Sequence, residues 1–169
     1  MLHAFDSADT GRPLDRSAWM ALLARAPQAL LESALGARHT QAPRWLRRPE
    51  TGLMMVQGRA GGTGERFNLG EVTVTRCALR LPGATQDAPV GVAYVLGRSY
   101  RQAQLAAVAD ALLQDPAQRD QIATRLLQPV RQHLQEVAAR RQQRAQATKV
   151  EFFTVAREAG AGNDEEDDA

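Results

Sequence analysis

Apolar residues in the first third of the chain recur at helical spacing. Trp19, Met20, Leu22 and Leu23 follow Asp15 and Ser17, which predicts a helix beginning near Asp15 with Ser17 as its cap. Pro27 opens a second short helix, "PQALLESALG". Its stripe is Leu30, Leu31, Ala34 and Leu35, and Gly36 ends it. Two short helices joined at a proline predict an αα-hairpin. The next stretch, "HTQAPRWLRRPETG", is polar, holds two prolines, and reads as a connection.

From Leu53 the pattern shortens. "LMMVQGRA" (Leu53 to Ala60), "EVTVTRCALRL" (Glu71 to Leu81) and "VGVAYVLG" (Val90 to Gly97) read as strands, joined by turn-length loops. Three in succession predict an antiparallel meander. The third is apolar on both faces, which predicts a central, buried strand.

After Gly97 the helical period returns. Leu105, Val108, Ala109 and Leu112 share a face of "SYRQAQLAAVADALLQ". Ser99 and Gln102 fit a capping box, and Asp115 with Pro116 restarts a helix. Pro129 should kink that helix or begin the next. Val130, Leu134 and Val137 then give a stripe that fades into "ARRQQRAQ", a polar arm that its own core cannot hold. "VEFFTVAR" holds Phe152 and Phe153, a pair expected to dock on this chain or on another; it reads as extended. The elements together predict an α+β fold: a small antiparallel sheet, an N-terminal helical hairpin and a long C-terminal helical arm. Residues 1–14 read as a flexible lead-in, 15–157 as one domain, and 158–169 as a disordered acidic tail.

Length and composition suit that reading. The chain has 169 residues, 44% hydrophobic and 24% charged, enough for one core. Aromatics make up only 5%, so Leu, Val, Ala and Met must fill the interior. The net charge of +2 hides an asymmetry: five acids crowd Asp164 to Asp168, and the remainder carries 21 basic against 14 acidic residues. All the basic residues but Lys149 are Arg, whose planar fork suits carboxylates and phosphates. One cysteine, Cys77, allows no intrachain disulfide; set in an apolar strand pattern, it reads as an inert packed thiol. No apolar run is long enough for a signal peptide or membrane span, so a cytoplasmic location is expected.

"GGTGERF", Gly61 to Phe67, is the most distinctive short stretch. A Walker loop requires a following helix and a Gly-Lys-Ser/Thr ending, and a dinucleotide fingerprint requires a helix and a third glycine where Phe67 stands. Two readings remain. The glycines supply positive φ to a hairpin, or Gly61, Gly62 and Gly64 let a phosphate or another backbone approach, with Arg59 and Arg66 neutralising an anion and Glu65 orienting one of them. Glu50 and Glu65 are the one carboxylate pair that could converge for acid–base work. His3, His39 and His133 lack metal-ligand spacing, so no metal site is expected. "RWLRRP" and "ARRQQRAQATK" are basic, but no nucleic-acid-binding motif accompanies them.

Three blocks, "RPETGLMMVQGRAGGTGERFNLGEVTVTRCALRL", "GVAYVLGR" and "KVEFFTVAR", in that order and spacing, resemble the PhnG subunit family of the carbon–phosphorus lyase core complex. The resemblance spans Ser17 to Arg157. It implies a role in bacterial phosphonate catabolism, as an accessory subunit among other core subunits and an ATP-binding-cassette-like partner. That assembly transfers the ribose triphosphate moiety of ATP to an alkylphosphonate and releases adenine. The resemblance implies that ATP is a substrate of the complex, that this chain binds no cofactor of its own, and that the isolated chain is inactive. Ser99, Tyr100, Arg101 and Gln102 depart from the family pattern, in which an acidic residue and then a histidine are usual. The competing reading is a stand-alone anion- or nucleotide-binding enzyme using Arg59, Glu65 and Arg66.

Overall fold

A computed structural model describes residues 14–148. The chain forms α1 (Arg16–Leu23) and α2 (Gln28–Leu35), then β1 (Arg44–Arg59), β2 (Arg66–Arg80) and β3 (Gly91–Leu96). It closes with α3 (Tyr100–Gln114), α4 (Pro116–Ile122) and α5 (Gln128–Ala147). The sheet is antiparallel in the order β1-β2-β3. This is the α+β arrangement expected, with an N-terminal helical pair and a long C-terminal helix.

Asp15 caps α1, its carboxylate accepting from the Ala18 N–H at 2.8 Å, while Ser17 donates its hydroxyl to the same carboxylate. The cap is therefore Asp15 and not Ser17. Gly36 follows α2 at φ 53°, a left-handed conformation that favours glycine. Asp115 caps α4 as expected, accepting from Ala117 N at 3.0 Å. Hydrogen bonds from the Gln118 amide and from that N–H hold its carboxyl below the ordinary value.

The capping box at α3 does not form. Ser99 makes no side-chain cap, and Gln102 instead donates to the Ala26 carbonyl at 2.9 Å, tying α3 to the end of the helical pair. A tertiary acceptor has outcompeted the local one. Ahead of Pro129, which lacks the N–H for the carbonyl of Arg125, the helix widens into a π-helical stretch, Ala123–Leu127, and α5 follows.

Two strands begin earlier than the sequence suggests. β1 starts at Arg44, inside the stretch read as a connection. As an edge strand it tolerates Pro49, and its pairing with β2 is irregular between Arg47 and Glu50. β2 starts at Arg66 and not at Glu71. A third correction concerns β3, which lies at the sheet edge rather than in its centre.

The core lies between the sheet and the helices. Cys77 and Leu79 of β2 and Ala93 and Val95 of β3 meet α3, which is buried nearly all round. Its small side chains permit the close approach: a Cβ on Gly91 would stand 2.0 Å from the Ala107 carbonyl oxygen. Leu31, Leu35, Ile122, Leu126 and Val130 complete the interior. Two buried polar groups are fully partnered. Thr75 donates to the Gly97 carbonyl at 2.6 Å. Asp110 accepts from Arg16, Trp19 Nε1, the Val92 N–H and Gln114, joining α1, α3 and β3. Cys77 donates its thiol to the Ala103 carbonyl, and burial pushes its pKa up to about 12, the inert thiol expected. Among the described residues no helix is long and apolar enough to cross a membrane.

Candidate functional site

β3 pairs with β2 only from Val74 to Leu79. Beyond that point, Leu53–Arg59 and Arg66–Thr73 continue as a ribbon of two strands, about 20 Å long at about 3.3 Å per residue. Side chains paired across strands share a face, and alternate residues take opposite faces. The register therefore sorts the ribbon into two sides.

One side continues the helix-covered face of the sheet. It carries Leu53 with Thr73 and Met55 with Glu71, then Gln57 with Asn68, whose amides hydrogen-bond at 3.1 Å, and ends at Arg59 with Arg66. The other side continues the face that none of the described helices covers. It carries Met54 with Val72, Val56 with Gly70, and Gly58 with Phe67. A one-residue bulge makes Leu69 the extra residue on β2, and its side chain lies over Gly58, where an added Cβ would come within 2.6 Å of it. The missing side chain at Gly58 thus gives Leu69 its place.

This uncovered apolar side runs on to the neighbouring strand. Val74 pairs with Leu96, and Tyr94 follows two residues along on the same face. Leu96 is 69% exposed, Leu69 61% and Phe67 48%. At its other end the face turns polar: Glu50 bridges Arg47 and Arg76, the latter at 2.9 Å. Those two guanidiniums, Arg47 first, hold the Glu50 carboxyl below its ordinary value.

The glycine-rich stretch forms the tip. Gly61 and Gly62 take φ of 58° and 82°, as the hairpin reading requires. The amides of Thr63 and Gly64 both close on the Ala60 carbonyl, at 3.3 and 3.1 Å. Both of these amides are used within the turn. Arg59 donates to the Gly64 carbonyl at 3.2 Å. What the tip offers outward is side chains, with Arg59, Glu65 and Arg66 all exposed.

Of the residues singled out in the sequence, the fold brings Arg59, Gly61, Gly62, Gly64, Glu65 and Arg66 into one tip. It does not bring Glu50 to Glu65. Glu50 lies nine residues below Arg59 on β1, roughly 30 Å away along an extended strand, so the two carboxylates cannot share a reacting group. Phe152 and Phe153, residues 1–13 and the acidic tail lie outside the described residues. Among those described, no group of three or more histidines, cysteines and carboxylates is placed to hold a metal ion.

The uncovered face itself was not evident from the sequence. Its signal was the alternation of Phe67 and Leu69 ahead of the β-branched run, inside a stretch that reads as loop. Asp110 was missed as well; a carboxylate within "AAVADALL" is the signal for a buried polar junction.

The chain matches the family model of the phosphonate metabolism protein PhnG over residues 14–158. It is similar to the alpha-D-ribose 1-methylphosphonate 5-triphosphate synthase subunit PhnG of Rhizobium meliloti (strain 1021). The two are 39% identical over 167 residues, covering 93% of this chain and 98% of that relative. Spanning its domain from the helical pair to the residues beyond α5, the chain belongs to the PhnG family of phosphonate metabolism proteins.

Proposed function

We propose that this chain is an accessory subunit of a phosphonate-metabolising synthase, part of the carbon–phosphorus lyase core. The assembly transfers the ribose triphosphate moiety of ATP to an alkylphosphonate with release of adenine. The chain supports that transfer by docking its uncovered sheet face on a larger companion subunit. Arg59 and Arg66 then stand at the border of a centre housed mainly by neighbours. The other partners are the remaining core subunits and an ATP-binding-cassette-like protein, with Phe152 and Phe153 assigned to the same docking on sequence grounds.

One observation carries the reading. The two-stranded ribbon exposes Met54, Phe67 and Leu69 on one side with nothing described to cover them. A two-stranded hairpin is marginal by itself in water, and a contiguous exposed apolar face marks an interaction site. The name of the Rhizobium relative, a synthase subunit, supplies the class of partner. A stand-alone enzyme built on the tip gains no support: Glu50 lies far down β1 from the tip that holds Glu65, and the Thr63 and Gly64 amides are already used within the turn.

Co-expression with the other synthase subunits tests this. A stable complex containing this chain is expected, with synthase activity in the complex and none in the isolated chain. A chain that never associates, or that turns over ATP and methylphosphonate unaided, overturns the proposal.

A further inference from the structure

We infer that the cavity between the C-terminal end of α2 and the α4–π-helical segment is a binding site for a polyphosphate-class oxyanion, held by Arg38 and Arg125. The cavity is on the helical side of the molecule, away from the ribbon. Its volume is about 590 Å³, within the range of small-molecule sites. Arg38 and Arg125 line it from two different elements, with Ser33 and Gln121 adding neutral donors.

Three features point to an anion of several oxygens. First, no carboxylate is among the described lining residues, so two guanidiniums share one concavity without a described counter-charge. Secondly, neither guanidinium takes part in an ion pair or side-chain hydrogen bond among the described residues, whereas Arg16, Arg47, Arg76 and Arg101 all do. Thirdly, a lone carboxylate is satisfied by one planar fork, while a phosphate chain has oxygens for two forks on separate walls. Arg38 is half-buried, which weakens the competition from water; Arg125 is exposed and completes the clamp from the π-helical stretch. A widened turn of this kind is frequent at functional sites. The C-terminal end of α2 carries partial negative charge and by itself repels an anion. Affinity must therefore come from the two arginines, and losing both should abolish it.

The cavity's own chemistry defines this site, independently of the assembly proposed above. The test is titration calorimetry of the full chain with inorganic tripolyphosphate, at low and at physiological ionic strength. Saturable binding with one site is expected, weakened by added salt. Arg38→Gln and Arg125→Gln should each weaken it by about ten-fold, as expected for loss of one charge-assisted fork. The double variant should show no saturable binding, while Arg59→Gln with Arg66→Gln retains it. Melting curves of each variant establish that it is folded. Absence of saturable binding to the parent chain overturns the inference, as does a folded double variant that binds as tightly as the parent. If the double variant keeps tripolyphosphate binding but loses co-purification with the synthase subunits, the cavity receives a partner's acidic side chains and the inference is wrong. Failure of the complex to form leaves this result intact and bears only on the proposed function.

Discussion

Arg59 and Arg66 stand directly opposite one another on the last rung of the β1–β2 ribbon. Two like charges so placed destabilise the rung, and opposite charges stabilise it by about 0.2–1 kcal/mol. The arrangement works against the lone chain. Arg66→Glu should therefore raise the melting temperature of the isolated protein slightly while lowering the activity of the assembled synthase. Loss on both counts would mean that the tip serves the fold alone.

The apolar side of the ribbon makes a separate prediction. Phe67→Ser and Leu69→Ser replace exposed side chains, and exposed positions usually shift stability by no more than about 0.5 kcal/mol. Each should leave the urea midpoint of the isolated chain nearly unchanged and reduce recovery of the complex in a pull-down. Equal damage to the lone chain would show that these side chains pack internally.

Asp110 makes the opposite prediction. Its carboxylate is fully buried and accepts from the Trp19 indole and the Val92 N–H, both at 2.9 Å. Its ion-pair partner Arg16 is 45% exposed and can return to water. The cost of Asp110→Ala is therefore set by the stranded donors, about 1–3 kcal/mol for each buried group. Asp110→Asn keeps one acceptor and should cost less. Chemical denaturation of the two variants checks the order; an alanine variant as stable as the parent would contradict it.

Cys77 predicts a pH dependence. Burial raises the folded-state value from the ordinary 9.0 to about 12, so the neutral thiol is the form the core accepts. Because the folded value lies above the unfolded one, the contribution is fully present below about pH 9 and lost as pH rises towards 12. Denaturation midpoints should fall across that window. Below it, a thiol reagent should label Cys77 no faster than the chain opens. Prompt labelling of native protein near neutral pH would refute the buried assignment.

How legible the fold was depends on the range of the interaction involved. The Asp115–Pro116 restart, the Gly36 stop and the positive φ of Gly61 and Gly62 are local matters of backbone and cap chemistry, and each is found where the sequence put it. The capping box failed because Gln102 had a better acceptor at Ala26, seventy-six positions away in sequence. The centrality of β3 failed for a related reason. Tyr94 and Leu96 alternate with Ala93 and Val95 in an apolar run, and such a run signals two faces that avoid water. It does not say whether the strand is paired along one edge or both.

The candidate site divides along the same line. The amino-acid sequence by itself determined the tip's membership, because Arg59 to Arg66 are neighbours joined by a turn whose glycines leave little choice. It also determined the family, through blocks of residues in a fixed order. Only the tertiary structure decided that Glu50 and Glu65 stay apart, that Asp110 is a buried junction, and that Phe67 and Leu69 extend the uncovered face of Leu96. Those outcomes depend on strand register and on which face the helices cover. Both are settled by contacts between distant segments, where a shift of one residue moves every side chain to the other side of the sheet.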